Sequence, residues 1–275
     1  MEELTPEEFA RFLAVIYRVA GIKIPTTKRV MVGNRLRRRL RATGIDKFAD
    51  YYAHLTCPAG AAEVPKFIDE MTTNETYFFR DKQHFDWLDA TFFPEIARAG
   101  LARKRPKTLR VWSAAASTGE ELYSIALKLA PKRPTFSGWK IDLVGTDISG
   151  AALTAARAGA YDERAVRLVG PDDRKRYFDH DPKADRWVVK GEVRADVSWR
   201  LHNLMTPLKQ APFDCVFIKN VLIYFDVRSK KTVVRHLVDA LARGGYLVVG
   251  PTEGIYNMLE PLEKLSTWLY RRPFE

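Results

Sequence analysis

Apolar side chains recur at helical spacing through the first hundred residues. Thr5 and Glu8 form a capping-box pattern at a helix start, and Leu4 and Phe9 are spaced as a hydrophobic staple. Gly21 follows the last apolar position of this helix and is typical of a C-terminal cap. The same periodicity predicts further helices over residues 28–42, 46–56, 61–71 and 82–99.

From Leu109 onward, short apolar runs alternate with helical segments. The strand-like runs are "LRVWSA", "KIDLVGTD", "DCVFIKN", "GYLVVG" and "STWLYRRP", and the helical segments include "GEELYSIALKLA" and residues 227–242. Such alternation predicts an α/β domain with a mostly parallel sheet and helices on both faces. Ligands in such folds bind at the carboxyl ends of the strands.

The alternation is interrupted between about residues 160 and 200. Here "WVVKGEVRADVSWRL" resembles short antiparallel strands joined by a Gly-containing turn, and a polar, charged segment precedes it. We interpret this region as a small inserted β-subdomain. A basic stretch containing a proline, residues 103–107, resembles a linker between the helical part and the α/β part.

Positive charge is concentrated in one segment of a chain whose formal net charge is +11. Between residues 21 and 47, one acidic residue, Asp46, stands among Lys23, Lys28, Arg29, Arg35, Arg37, Arg38, Arg39, Arg41 and Lys47. On a helical wheel, the apolar positions Val32, Gly33, Leu36 and Leu40 share one side, and the cations Lys28, Arg35, Arg38 and Arg39 share another arc. Such an arc attracts a polyanion or an acidic protein surface, and a solvated helix face is an alternative of about equal weight.

Composition is that of an ordinary globular protein, with 46% hydrophobic and 29% charged residues. No apolar run approaches the roughly 18 residues of a membrane span, and no basic segment followed by an apolar run suggests a secretory signal. Two cysteines make no disulfide framework, so a reducing cytoplasm is the simplest interpretation. The five histidines lack metal-ligand spacing, and we expect no metal site.

Small or polar residues follow three predicted strands. The first strand leads into "SAAASTGEE", residues 113–121, which lets a ligand approach the backbone but matches neither G-x-G-x-x-G nor a P-loop. The second ends at Asp147, which is placed either to accept ribose hydroxyls or to cap the next helix. A later one ends in "KNVLIYFD", with Asn220 and Tyr224. Each feature alone fits an ordinary turn, but together they predict one nucleoside-binding crevice.

The stretch "MTTNETYFFRD", residues 71–81, is too polar for a core strand, yet it contains three consecutive aromatic residues. Thr73 or Asn74 capping a helix is one explanation. A ligand site is the other.

Five motifs taken together resemble the chemotaxis receptor methyltransferase (CheR) family over nearly the whole chain and in order. They are "KRVMVGNRLRRRLRATG", "TTNETYFFRD", "VWSAAASTGEELYSIAL", "GTDISGAALTAARAGAY" and "FDCVFIKNVLIYFD". The resemblance implies an all-α N-terminal receptor-docking domain (1–75), a connecting helix and linker (76–107), and a Rossmann-like methyltransferase domain (108–275) carrying the β-subdomain. It also implies methyl transfer from S-adenosyl-L-methionine (SAM) to glutamate side chains of chemoreceptors, giving methyl esters and S-adenosylhomocysteine.

The resemblance carries over to individual positions. It places Arg80 in the SAM site and Tyr224 next to the methyl group, and we expect both to be catalytic. Glu121 is expected near the methionine amino group and Asp147 at the ribose. The full set of implied cofactor contacts is Asn74, Thr76, Arg80, Glu121, Asp147, Asn203, Leu204, Lys219 and Asn220, with Asn203 and Leu204 beside the adenine. The chain departs from the family at Lys219, where Arg is usual, and at Leu122, where Pro is frequent.

The implied partners are the cytoplasmic methylation helices of chemoreceptors, docked by Lys28, Arg35, Arg38 and Arg39. Some family members also bind a receptor C-terminal peptide at the β-subdomain. We expect a cytoplasmic monomer, recruited to membrane receptor arrays, that neither binds nucleic acid nor inserts into the membrane.

Three other functions are weighed against this interpretation. The net charge favours a SAM-dependent methyltransferase of nucleic acid, but "NVLIY" lacks the prolines of the (Asp/Asn)-Pro-Pro-(Tyr/Phe) turn that amino-methylating DNA enzymes usually carry. Lys219 favours a non-catalytic SAM-binding adaptor, which the presence of Asn74, Arg80, Asp147 and Tyr224 opposes. A DNA-binding module without catalysis would leave the three converging strand ends unexplained.

Overall fold

The computed structural model describes residues 3–275, so the first two residues of the predicted N-terminal domain lie outside it. The chain begins with four helices, α1 (Pro6–Ala20), α2 (Arg29–Thr43), α3 (Phe48–Thr56) and α4 (Val64–Met71), with 3-10 turns at Thr26–Lys28 and Pro58–Gly60. The capping box is confirmed, because the Thr5 hydroxyl accepts from Glu8 N while Thr5 N donates to the Glu8 carboxylate. Gly21 closes α1 with φ of +70°.

One hydrophobic core holds these four helices together. Each contributes fully buried side chains, among them Phe12, Leu36, Tyr51 and Phe67. The predicted inner side of α2 is confirmed, since Val32, Gly33, Leu36 and Leu40 are all buried. Stability of this domain therefore rests mainly on apolar packing.

A buried ion pair lies beside this core. Arg39 donates to both oxygens of Glu63, at 2.8 and 3.0 Å, and the Tyr51 hydroxyl donates to the same carboxylate at 2.9 Å. Burial opposes ionisation of Glu63, but the hydrogen bonds from Arg39 and Tyr51 outweigh it and lower the pKa of the carboxyl.

A helical connection leads into the α/β domain. It consists of α5 (Lys82–Trp87), a π-helical segment (Leu88–Phe92) and α6 (Phe93–Leu101), which together occupy the span predicted as one helix. Its aromatic residues, including Phe85, Phe92 and Phe93, are buried in the core of the α/β domain.

The main sheet has seven strands in the order β6-β2-β1-β7-β8-β10-β9. The parallel strands are β1 (Thr108–Ala114), β2 (Lys140–Asp147), β6 (Val197–Leu201), β7 (Phe213–Ile218) and β8 (Leu241–Val249). Two antiparallel strands, β9 (Glu263–Lys264) and β10 (Leu269–Arg271), complete one edge. The reversal of strand order at β1 places a crevice at the carboxyl ends of β1 and β7.

Both faces of the sheet are covered. Neighbouring residues of each central strand belong to different cores: Cys215 and Phe217 face one, and Val216 and Ile218 face the other. The first face packs against α5, α6 and α7 (Glu120–Leu129), with Leu122 fully buried there. The second packs against α12 (Val227–Ala240). The predicted α/β class, with helices on both faces, is confirmed.

A small second sheet is inserted between β2 and β6. Its order is β3-β5-β4, from β3 (Ala160–Tyr161), β4 (Phe178–Asp181) and β5 (Arg186–Val189), and the accompanying helices are α8 (Gly150–Ala158), α9 (Glu163–Val166), α10 (Pro171–Tyr177) and α11 (Gly191–Arg194).

The predicted hairpin across "WVVKGEVRADVSWRL" is wrong. Gly191 begins a short helix, and residues 197–201 return to the main sheet beside β2. A short apolar run fits either sheet, and its pairing partner is decided by tertiary packing. Within residues 3–275, no helix is both long enough and apolar enough to cross a membrane.

Replacing Glu63 tests the buried ion pair. We expect Glu63→Gln to lower the free energy of unfolding by about 3 kcal/mol, because Arg39 keeps a largely buried charge without its counter-ion. Urea unfolding followed by circular dichroism measures this. Since the pKa of Glu63 is lowered in the folded state, its stabilising contribution is present above the ordinary glutamate pKa and is lost as the pH falls through the lowered value. The difference between wild type and variant should shrink accordingly on acidification.

Glu70→Gln is the matched control, because Glu70 pairs with the half-exposed Arg38 at 2.7 Å. Its effect should stay below about 1 kcal/mol. Equal losses from the two variants would contradict the assignment.

Candidate functional site

A cavity of about 330 Å³ lies where the helical domain meets the carboxyl ends of the strands. Its walls come from both parts of the chain. The helical part supplies residues of α2 and of the loop before it, and the α/β part supplies the loops after β1, β2, β6 and β7. The stretch at residues 71–80 runs along the cavity between them.

All of the predicted cofactor and catalytic residues line this cavity. They are Asn74, Thr76, Arg80, Glu121, Asp147, Asn203, Leu204, Lys219, Asn220 and Tyr224. Two predicted docking residues, Lys28 and Arg35, line it as well. The residues are brought together from positions almost 200 apart in the chain.

Residues 72–77 form neither helix nor strand, and the next helix begins at Lys82, so the explanation that Thr73 or Asn74 caps a helix is wrong. It is held by side chains from both domains. Arg35 donates to Met71 O at 2.7 Å and to the Thr73 hydroxyl at 3.1 Å, and the Ser117 hydroxyl donates to Asn74 O at 3.1 Å. Burial and the neighbouring Arg38 lower the pKa of Arg35.

The aromatic residues that follow anchor this stretch. Phe78 is fully buried, with its ring centroid 4.9 Å from that of Tyr161 and 5.3 Å from that of Phe178. Phe79 N donates to the Ser124 hydroxyl at 2.9 Å. The aromatics therefore fix the backbone, while the polar neighbours lie along the cavity.

The loop after β1 has an unusual backbone. Ala115, Ser117 and Gly119 have φ values of +61°, +52° and +100°. Residues other than glycine adopt this region at a cost of about 1–2 kcal/mol each, and such strain is concentrated at functional sites. Ser117 N donates to Asp147 Oδ2 at 2.8 Å, which ties this loop to the end of β2.

Asp147 lies at the carboxyl end of β2 and is mostly buried. Its Oδ1 accepts from Ser149 N at 2.8 Å, but the cap of α8 is Ser149, so the alternative of Asp147 as a helix cap is wrong. Burial raises the pKa of the carboxyl, and the backbone N–H groups of Ser149 and Ser117 oppose that shift. Each oxygen retains a lone pair that can accept a ligand hydroxyl.

The turn after β7 depends on a carboxylate that sequence analysis missed. Asn220 has φ of +58°, and its N–H donates to Glu253 Oε1, while Leu222 N donates to Oε2 at 2.7 Å. Glu253 is fully buried, and burial raises the pKa of its carboxyl. Its position four residues after β8 was the available signal, because it follows a strand end just as Asp147 does.

The loop between α1 and α2 closes one side of the cavity. Ile22 forms an antiparallel bridge with Phe225, and Lys23 N donates to Tyr224 O at 2.8 Å. Asn203 uses its side-chain amide to bond Val19 O at 2.6 Å, so this residue joins the two domains as well as lining the cavity.

Two of the predicted docking residues lie outside the cavity wall. Arg38 is half exposed and pairs with Glu70. Arg39 is mostly buried and forms an ion pair with Glu63. It is therefore not part of the exposed basic surface that the helical wheel suggested. The wheel gives the direction of a side chain but not what another helix places opposite it.

Comparison with known proteins gives two family matches that adjoin. The CheR methyltransferase all-alpha domain matches residues 7–72, and the CheR methyltransferase SAM binding domain matches residues 74–270. The chain belongs to the CheR methyltransferase family.

Two relatives illustrate the breadth of the match. The chemotaxis protein methyltransferase of Salmonella typhimurium is 38% identical over 272 residues, 97% of this chain and 90% of that protein. That of Escherichia coli K12 is 37% identical and covers 93% of this chain and 87% of that protein. Among solved structures, the N-methyltransferase NodS from Bradyrhizobium japonicum in complex with S-adenosylhomocysteine covers 68% of this chain and 90% of its own, at 18% identity and a TM-score of 0.37.

The residues around the cavity fit the SAM that this family binds. The strained loop after β1 brings backbone close to the cavity, Asp147 offers carboxylate oxygens, and Glu121 adds a second negative charge. SAM carries an ammonium and a sulfonium, and hydroxyls on its ribose. A cavity with one carboxylate at the end of β2 and another in the first turn of α7 suits this set of groups.

Asp147→Asn tests the predicted ribose contact. We expect the affinity for SAM to fall at least about tenfold, because hydrogen bonds to a charged acceptor contribute roughly 1.5–3 kcal/mol. Isothermal titration calorimetry with SAM and S-adenosylhomocysteine measures the change.

The control is Asp142→Asn in the same strand, where Asp142 pairs with Arg110 away from the cavity. That variant should bind SAM as the wild type does. Unchanged SAM affinity in Asp147→Asn would refute the contact.

Proposed function

We propose that this CheR family methyltransferase transfers the methyl group of SAM to glutamate side-chain carboxylates of bacterial chemoreceptors. The products are glutamate methyl esters and S-adenosylhomocysteine, in adaptation of chemotaxis. The observation that carries the proposal is that Arg80 and Tyr224 line the same cavity as Asp147 and Glu121, and that Lys23 and Lys28 line it too. The cavity therefore combines cationic groups suited to a carboxylate substrate with carboxylates suited to SAM.

Methyl transfer from SAM to a carboxylate requires little acid–base catalysis from the protein. SAM supplies a methyl group already activated by its sulfonium. A glutamate carboxylate is ionised at neutral pH and is already a nucleophile, so no general base is needed. The chain must align the carboxylate with the methyl carbon and exclude water, and orientation of this kind supplies roughly 7–11 kcal/mol.

Arg80 is the residue proposed to position the incoming carboxylate or the cofactor edge. Its guanidinium lies 5.7 Å from the Tyr77 ring centroid and donates to Glu75 O at 3.3 Å, within the stretch that lines the cavity. Tyr224 is proposed to shape the methyl site. A pairing too tight with the nucleophile would deactivate it, so the role of Arg80 is positioning rather than strong binding.

The basic edge of the cavity is proposed to dock the receptor. Lys28 and Arg35 line the cavity, and Arg38 extends the basic surface along α2. Acidic side chains beside the target glutamates would meet these cations. Exposed charges of this kind act mainly on encounter rate and weaken with salt.

The deciding experiment uses methyl-tritiated SAM, the purified protein and membranes that contain chemoreceptors, followed by mild alkali. We expect volatile methanol, because carboxyl methyl esters hydrolyse in alkali. Alkali-stable label would instead indicate methylation of nitrogen or carbon and would overturn the proposal. Arg80→Ala should lower kcat by about 100-fold, and the exposed Arg98→Ala in α6 should not.

Receptor docking is tested with the double variant Lys28→Ala/Arg38→Ala. We expect the KM for receptor to rise about fivefold or more at low salt and the KM for SAM to change much less, because Arg38 lies outside the cavity wall and Lys28 is an exposed cation. The difference from wild type should shrink at high salt. Lys264→Ala, on the exposed edge strand β9, is the control. An equal rise in this control would count against docking on α2.

A further inference from the structure

The ammonium of Lys219 is buried at the carboxyl end of β7. Only 3% of its side chain is exposed, and its Nζ lies 5.4 Å from the ring centroid of the buried Phe85. An isolated buried charge is strongly unfavourable, so the groups around it must compensate.

Three acceptors surround this ammonium. Nζ donates to Arg80 O at 2.8 Å and lies 3.2 Å from Asp81 Oδ2 and 3.3 Å from Glu121 Oε2. The contact with Arg80 O is a hydrogen bond, and the two carboxylates are ion-pair partners of the ammonium. Glu121 is held from its other side as well, since the Ser113 hydroxyl donates to Oε1 at 2.8 Å.

Asp81 has an unusual backbone conformation and a buried carboxylate oxygen. Its φ is +62°, a region that Asp and Asn tolerate better than most residues. Among the residues that the structure describes, its buried Oδ2 accepts no hydrogen bond, so the ion pair with Lys219 compensates for that burial. Asp81 is also not among the residues that line the cavity.

In the cluster of Asp81, His84, Glu121 and Lys219, the formal positive charge belongs to Lys219. His84 is fully buried, and burial, together with the charge of Lys219, lowers its pKa to about 4. The imidazole is therefore neutral at physiological pH. The formal charges of Asp81, Glu121 and Lys219 sum to −1, which suits a cationic ligand at Glu121.

We propose that Asp81 and Lys219 form a clamp that positions Arg80 and Glu121 for methyl transfer. Lys219 is then a positioning residue rather than a direct contact of the cofactor. By binding the Arg80 carbonyl and the Asp81 carboxylate, it fixes the backbone from which the Arg80 side chain reaches the cavity. This inference rests on the proposed function, because its readout is the methylation of receptor carboxylates.

Asp81→Asn is the sharpest test, because asparagine tolerates the same backbone conformation and only the charge is removed. We expect kcat at saturating receptor to fall about tenfold, while the KM for SAM changes less than about threefold. Lys219→Met should lower kcat further and also weaken SAM binding, because it frees Glu121. The double variant should be no worse than Lys219→Met alone, since the clamp is already lost. If Lys219 contacted the cofactor directly, Asp81→Asn would leave kcat unchanged.

Asp86→Asn is the matched control. Asp86 lies in α5, the helix that begins directly after Asp81, and pairs with Lys82 at 2.6 Å on the surface, so the same chemical change there should leave kcat as in wild type. An additive double variant, or full kcat in Asp81→Asn, would overturn the clamp.

A second readout is independent of turnover. Amide hydrogen exchange across residues 78–84 should be faster in Asp81→Asn and in Lys219→Met than in wild type. In the double variant it should be no faster than in Lys219→Met. If wild type releases no methanol from receptors, the proposed function fails and the clamp is judged on this exchange alone. Unchanged exchange in both single variants would refute it.

Discussion

Hydrogen bonds join the helical domain to the strand ends on one side of the cavity. Tyr17 donates to Asp226 at 2.9 Å, Asn203 to Val19 O at 2.6 Å, and Lys23 N to Tyr224 O at 2.8 Å. The Rossmann-like domain leaves its crevice open on this side, and the helical domain closes it. A cofactor bound at the strand ends therefore lies beside the surface that is proposed to meet the receptor.

Buried carboxylates fix the loops of the site. Asp147 accepts the N–H of Ser117, and Glu253 accepts that of Asn220, where both donors have positive φ. In each case the hydrogen bond compensates for an unfavourable backbone conformation, and the strained turn in return satisfies the buried charge. The loops after β1 and β7 thus keep their shape before any ligand arrives, which lowers the entropy lost on binding.

Whether a segment forms a helix or a strand was predictable where a single hydrophobic periodicity dominates that segment. The capping box and apolar spacing identified α1, and the alternation of strands and helices identified the parallel sheet. The residues that line the cavity and are proposed to act there were picked out by motif resemblance. Their partners did not, because hydrogen bonds such as that from Lys219 to Arg80 O join residues 139 positions apart. No local pattern marks Asp81 or Ser124 as a partner of a residue so distant in the chain.

By itself, the sequence determined the helical first part, the alternation of strands and helices that follows it, and the family, because periodicity, caps and motifs are local properties. Tertiary structure alone decided three other points. Residues 197–201 pair with the main sheet, Arg39 forms an ion pair with Glu63, and Lys219 forms a buried ion pair with Glu121. A short strand can pair with any free edge, and a charged side chain takes its role from the groups that packing places opposite it.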